Sequence, residues 1–206
     1  IKAFSFFILI FYQITVAQNT IEFLQLSGEN FSTQSITYSA KQDNDGNLWI
    51  GSEEGILKNN SKYYKIYNRY NGLPEALSNR TTEIFIDSKN NIWAGLEKGL
   101  CIYNKGLDQF DLIKSANKLN PSLVNAIDED GDGNIWIGGF NGLWSFDKIK
   151  QKLKRVVPNK SVTSLIIKNN IIFIGTQKGL FVYNISDKSL QKVPLKYPYR
   201  NIWSIN

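Results

Sequence analysis

Three aspartates at alternate positions, Asp128, Asp130 and Asp132, followed by Gly133 and Ile135, imitate the first eight positions of a calcium-binding EF-hand loop. Such a loop is completed by a bidentate glutamate at its twelfth position, which here is Gly139. Asp43-Asn44-Asp45-Gly46 repeats the same composition earlier in the chain. Asp, Asn and Gly tolerate left-handed backbone and cap their own turns, so turn chemistry accounts for both segments and no metal is expected. The 206 residues include no His, which removes Ser-His-Asp and Cys-His dyads, histidine general acid–base chemistry, most zinc sites and any phosphoaccepting histidine. Cys101 is the lone cysteine and lies in the apolar run Leu100-Cys101-Ile102-Tyr103, where a buried structural thiol is expected. No pair of carboxylates is placed by more than turn composition. The segment is therefore read as non-enzymatic, with no catalytic residue and no cofactor. Lys148, Lys150, Lys152 and Lys154 alternate ahead of Arg155 and could form a polyanion groove. They fall on an outer strand, where lysines protect an exposed edge, and that is the preferred reading.

The elements that must position these residues come from a repeat. Asn47-Leu48-Trp49-Ile50-Gly51 recurs as Asn91-Ile92-Trp93-Ala94-Gly95, as Asn134-Ile135-Trp136-Ile137-Gly138 and, weakened, as Ile171-Ile172-Phe173-Ile174-Gly175. A second glycine and an aliphatic residue follow each time: Gly55-Ile56, Gly99-Leu100, Gly142-Leu143 and Gly179-Leu180. Both glycine series recur 44, 43 and 37 residues apart. A period near forty with four short strands per unit is the signature of a β-propeller. Each unit reads as an apolar first strand, a polar turn, the Trp-x-Gly strand, a short hairpin, a third strand such as Leu143–Phe146 and a more polar fourth strand at the rim. Neighbouring residues of the Trp-x-Gly strand point to opposite faces yet are both apolar, as expected where each blade is covered on both sides. Glycine inside a strand marks a bend or close backbone approach, so Gly51, Gly95, Gly138 and Gly175 are placed where blades crowd together.

The expected fold class is all-β, a β-propeller of four-stranded antiparallel blades. Units run roughly over 35–80, 81–122, 123–161 and 162–200. Residues 21–26 read as an orphan outer strand, and 201–206 begin a further blade. Four complete blades plus two partial ones make this stretch part of a propeller expected to continue past Asn206. Aromatic rings stack on sugar faces, and loops carry function more often than scaffold does. The loops between units and the second hairpins should open on one face, which makes Tyr70, Asn71, Phe140, Asn141, Tyr197, Tyr199 and Arg200 the ligand-binding candidates.

Lys2, the apolar run Ala3–Val16 and the small residues ending at Ala17 form a secretory signal peptide over 1–17, leaving 18–206 as a periplasmic or otherwise extracytoplasmic chain. The run is shorter than the roughly 20 residues a membrane helix needs. Membrane anchoring is expected only through a downstream span. The net charge of +6, or +5 without Lys2, reads as ordinary solubility charge, and no nucleic-acid contact is expected.

The pattern Asp-x-x-Gly-Asn-Leu/Ile-Trp-Ile-Gly, then Gly-Leu, then Tyr/Phe-Asn/Asp, resembles the two-component regulator propeller repeat. It is fullest at Asp128, Asp130, Gly133, Asn134, Trp136, Ile137, Gly138, Gly142, Leu143, Phe146 and Asp147. Unit 1 departs from it at Leu57-Lys58-Asn59, and unit 4 has Phe173 for Trp and lacks the acidic turn. The resemblance implies the extracytoplasmic sensor region of a membrane-anchored transcriptional regulator or hybrid histidine kinase, with an oligosaccharide or other small ligand and room for a homodimer. Kinase chemistry would then lie in a downstream domain. The alternative is a secreted or envelope-associated scaffold that binds proteins, as in secretion systems.

Overall fold

The computed structural model describes residues 35–60, 62–75, 77–115, 119–196 and 201–205. The signal peptide at 1–17 and the orphan strand at 21–26 lie outside the described residues. Sixteen strands form four antiparallel sheets, each ordered by sequence, and no helix occurs among the described residues. Blade 1 holds β1 (Thr37–Gln42), β2 (Leu48–Ser52), β3 (Gly55–Asn59) and β4 (Tyr64–Tyr67). Blade 2 holds β5 (Thr81–Ile86), β6 (Ile92–Leu96), β7 (Gly99–Asn104) and β8 (Gln109–Leu112). Blade 3 holds β9 (Val124–Glu129), β10 (Ile135–Gly139), β11 (Gly142–Asp147) and β12 (Lys152–Pro158). Blade 4 holds β13 (Val162–Lys168), β14 (Ile171–Thr176), β15 (Gly179–Asn184) and β16 (Leu190–Lys192). The first strands β1, β5, β9 and β13 pack in succession, blade on blade. This is the β-propeller read from the repeat.

The core lies between the blades. The tryptophan of each unit packs on the third-strand aromatic of the next: Trp49 on Tyr103 (ring centroids 4.8 Å apart), Trp93 on Phe146 (5.6 Å) and Trp136 on Tyr183 (5.7 Å). Each indole N–H is buried and must find an acceptor. The turn aspartate six residues earlier supplies it, at 2.8 Å for Asp43, 3.0 Å for Asp87 and 2.7 Å for Asp130. The same carboxylates accept from the side chains of Asn47, Asn91 and Asn134, which fixes the turn. Burial pushes Asp87 up, but hydrogen bonds from Trp93, Asn91 and the Lys148 ammonium outweigh it and hold the carboxyl below its ordinary range. Blade 4 departs in both partners at once: Phe173 has no N–H, and Asn169 and Asn170 form a two-residue turn with φ of 48° and 63°. With no indole to satisfy, no acid is required.

The four strand glycines explain the joints. A β-carbon on Gly95 would stand 2.3 Å from Val124, and one on Gly138 would stand 2.4 Å from Val162. Gly51 faces Thr81 and Gly175 faces Ile202 in the same way. Beside each glycine the first and second strands of its blade slip register, leaving one unpaired residue: Tyr38, Thr82, Asn125 and Thr163. Such a bulge bends the strand and re-aims the extra side chain. Here it turns that side chain toward the following blade. Thr82 Oγ1 donates to the carbonyl of Val124, Asn125 Nδ2 to that of Val162 (2.7 Å) and Thr163 Oγ1 to that of Ile202. Residues 201–205 form no ladder, yet the Ile202 N–H donates to Thr176 O (3.0 Å) and its side chain takes the place of Val124 and Val162.

At the other end of the inner strands, side chains tie neighbouring turns. Lys148 Nζ lies 3.1 Å from Asp87 and 2.6 Å from Glu129, while Glu129 also accepts from the Ser88 N–H. Of the alternating lysines only Lys152 and Lys154 sit on β12, where both are exposed at the rim.

Candidate functional site

The bulged residues converge. Tyr38, Thr82, Asn125 and Thr163 line one cleft of about 600 Å3, joined by Trp203, which stands one residue past Ile202 as each bulged residue stands one past its strand start. The residues before three strands, Arg80, Leu123 and Ser161, add to its wall. Phe140 and Gln177 enter from the hairpins that follow β10 and β14, and Glu83 completes the lining from β5. All four blades and residue 203 therefore contribute at equivalent repeat positions. Two other clefts of similar size, about 560 and 580 Å3, lie along the blade 1–2 and blade 3–4 boundaries and each draws on two blades only. A ligand site with convergent polar groups and exposed rings is the better description of the first.

The wall is chemically mixed. Phe140 and Trp203 are 59% and 68% exposed, large apolar surfaces with nothing covering them among the described residues. Tyr38 Oη donates to Glu53 (2.7 Å), which raises its phenol together with burial. The Arg80 guanidinium lies 5.1 Å from the Tyr38 ring and 3.6 Å from the Glu53 carboxylate. Glu83 receives the Ser39 hydroxyl at 3.4 Å and, among the described residues, no cation within ion-pair distance. Burial pushes its carboxyl up to about 7 against the opposing pull of Lys41 and Ser39. A carboxyl poised near neutrality in a cleft is a common mark of a functional position.

The candidates named from the sequence are distributed unevenly. Phe140 lines the cleft. Its neighbour Asn141 is engaged structurally, donating to Asn120 O (2.9 Å) and accepting from Ser122 N–H and the Trp144 indole. Tyr70 is 79% exposed beneath the Arg69 guanidinium, and Asn71 pairs with Asn68 and Ile66 in the loop after β4; neither lines the cleft. Tyr197, Tyr199 and Arg200 lie outside the described residues. The sequence reading missed Thr82, Glu83, Asn125, Thr163 and Trp203 because they sit on or beside strands rather than in loops. Their signal was the strand glycine, which marks the bulge opposite it. The EF-hand-like acids also have assigned partners: Asp128 accepts from the Ile167 N–H (2.8 Å) and Asp130 from Trp136. Among the described residues no three His, Cys, Asp or Glu side chains are grouped to hold a metal ion. Cys101 is buried, and burial pushes its thiol well above the ordinary range.

Comparison with known proteins places this arrangement. The family model of the two component regulator propeller matches residues 30–54 and 118–141, the segments that carry the first and third Trp-x-Gly strands. A stretch of 76 residues is 32% identical to Histidine kinase P4 of Formosa agariphila, covering 35% of this chain and 6% of that one. The extracellular domain of the hybrid two component system BT4673 from B. thetaiotaomicron superposes with a TM-score of 0.69 at 26% identity, over 81% of this chain and 24% of its own. PorZ, a surface component of the type-IX secretion system of Porphyromonas gingivalis, shares the fold with a TM-score of 0.65 at 15% identity, over 88% of this chain and 31% of its own. The chain thus spans a small fraction of each relative. Among the described residues no helix is long and apolar enough to cross a membrane. Repeat spacing and the matched segments agree that the chain carries two component regulator propeller repeats at residues 30–54 and 118–141, within a four-bladed array that shares the fold of these extracellular domains.

Proposed function

We propose that this chain is the extracytoplasmic sensing region of a membrane-anchored regulator or hybrid histidine kinase, and that its cleft binds an oligosaccharide. The observation that carries the reading is the cleft itself, in which every blade contributes its bulged residue beside two uncovered rings, Phe140 and Trp203. Rings supply apolar area for sugar faces, while Asn125, Gln177, Ser161 and Glu83 offer partners for hydroxyl groups. A cleft of about 600 Å3 is within the ordinary range for small-molecule sites. Likeness to an extracellular domain of a hybrid two component system supports the sensing role. With no histidine, this chain cannot itself carry a phosphoaccepting histidine, so phosphotransfer would belong to another part of the protein. Titration calorimetry of the complete extracytoplasmic region against neutral, acidic and amino oligosaccharides tests the proposal. Binding is expected, with Trp203→Ala and Phe140→Ala each weakening it about tenfold, or ~1.4 kcal/mol. Failure of every oligosaccharide to bind overturns it.

A further inference from the structure

Resting on that reading of the cleft, we infer that it selects saccharides that donate hydrogen bonds, neutral or amine-bearing, and rejects polyanionic ones, with Glu83 as the specificity-determining residue. Thr82 and Thr163 each have one hydroxyl hydrogen, and each gives it to a carbonyl of the next element, Val124 O and Ile202 O. What remains on those oxygens is lone pairs, which can only accept. Asn125 engages Nδ2 with Val162 O and keeps its Oδ1 as an acceptor. The joints that hold the blades together therefore orient acceptors into the cleft.

Charge points the same way. Among the described residues Arg80 is the one cation on the wall, and it is balanced by Glu53 at 3.6 Å and laid over the Tyr38 ring. Among the described residues Glu83 is the one carboxylate on the wall, and it accepts a hydrogen bond from the Ser39 hydroxyl at 3.4 Å. The charged group that acts on it from the neighbouring strand is Lys41, which forms no ion pair with it. Among the described residues the cleft is thus left with a negative site that no ion pair balances, even though the whole chain carries +6. A carboxylate on a ligand would meet Glu83 and the acceptor oxygens together, and like charges brought together in a half-buried site repel. A hydroxyl pair or an ammonium group meets the acceptor oxygens of Thr82, Thr163, Asn125 and Glu83 without that repulsion, the Arg80 guanidinium being held against Glu53 and the Tyr38 ring. Gln177 and Ser161 can act in either sense and do not alter the balance.

The test extends the titration to matched sets at about pH 8, where Glu83 is ionised: glucose, mannose and galactose tetramers, the corresponding uronate tetramers, and glucosamine and galactosamine tetramers. A neutral or amino tetramer is expected to bind at least ~10-fold more tightly than its uronate counterpart. Glu83→Gln should shrink that ratio to within ~3-fold while leaving the melting temperature near about pH 4 unchanged, because there the carboxyl is protonated in both the folded and the unfolded chain. Equal or tighter binding of a uronate, or an unchanged ratio in Glu83→Gln, overturns the inference while leaving the sensing proposal standing. Binding of none of the tetramers removes both.

Discussion

The turn carboxylates and Glu83 show how the same functional group serves opposite ends according to its partners. Asp130 accepts from a buried indole and an amide, so its removal strands two donors. Asp130→Ala should cost about 2 kcal/mol in denaturant unfolding, since the buried Trp136 N–H is left unpaired. Blade 4 already shows the relaxed solution, with Phe173 and no acid, so Asp130→Ala combined with Trp136→Phe should cost less than the two changes summed, by about 1 kcal/mol. Glu83 behaves differently because burial outweighs its partners and raises the folded value to about 7 from 4.5. Below 4.5 both states hold the proton and the residue is neutral to stability; between 4.5 and about 7 the unfolded chain releases it while the folded chain retains it, so stability falls as pH rises. Glu83→Gln does not titrate, and should match the native chain near pH 4 yet exceed it at about pH 8 by on the order of 2 kcal/mol. Thermal unfolding at the two pH values reads this directly, and parallel curves would contradict it.

At the scale of the blade, one glycine does three things: it admits the next blade, marks the bulge and thereby aims a side chain into the cleft. Gly138→Ala would force a β-carbon to within 2.4 Å of Val162 and 3.1 Å of Leu165. It should destabilise by about 1–3 kcal/mol, the ordinary range for overpacking, and Val162→Ala should recover part of that. Gly131, in the turn before β10, has nothing within 4 Å of its would-be β-carbon, so Gly131→Ala should change stability by less than about 0.5 kcal/mol. This division explains what was legible in the sequence. Trp49, Trp93 and Trp136 recur in register with paired glycines, so strands, turns and blade order could be read from period and residue type alone. The crowding at the strand glycines was readable too, because it follows from glycine chemistry within a strand. Of the ligand-binding candidates within the described residues only Phe140 lines the cleft, announced by a hairpin position that Gln177 shares. Thr82, Asn125 and Thr163 resemble ordinary strand residues, and what exposes them is a one-residue slip in pairing with β6, β10 and β14. Register slips are tertiary events, fixed by how Val124, Val162 and Ile202 seat on the neighbouring glycines. The partner of Asp43, Asp87 and Asp130 was hidden for a simpler reason: turn chemistry alone accounts for an aspartate there, so the indole six residues on was not needed to explain it.

Across the whole molecule the blades are nearest-neighbour units, and in such arrays stability is a sum of unit and interface terms. Blade 1 touches blade 2, blade 2 touches blade 3 and blade 3 touches blade 4, through β1, β5, β9 and β13. The cleft is the exception to that linear order, since its wall takes residues from all four blades and from residue 203. A ligand seated there acts on every joint at once. At a concentration near 100 times its dissociation constant it should add about 2.7 kcal/mol to the stability of the bound form by mass action. More tellingly, that gain should be shared. Hydrogen exchange with and without a saturating oligosaccharide should show added protection in the backbone amides of β1, β5, β9 and β13 together, including the Ile202 N–H that is bonded to Thr176. A ligand held in the groove between blades 3 and 4, beside Trp136 and Tyr183, would protect β9 to β16 and leave β1 and β5 exchanging as before. The pattern of protected strands therefore separates a cleft that joins the blades from a groove that merely lies between two of them.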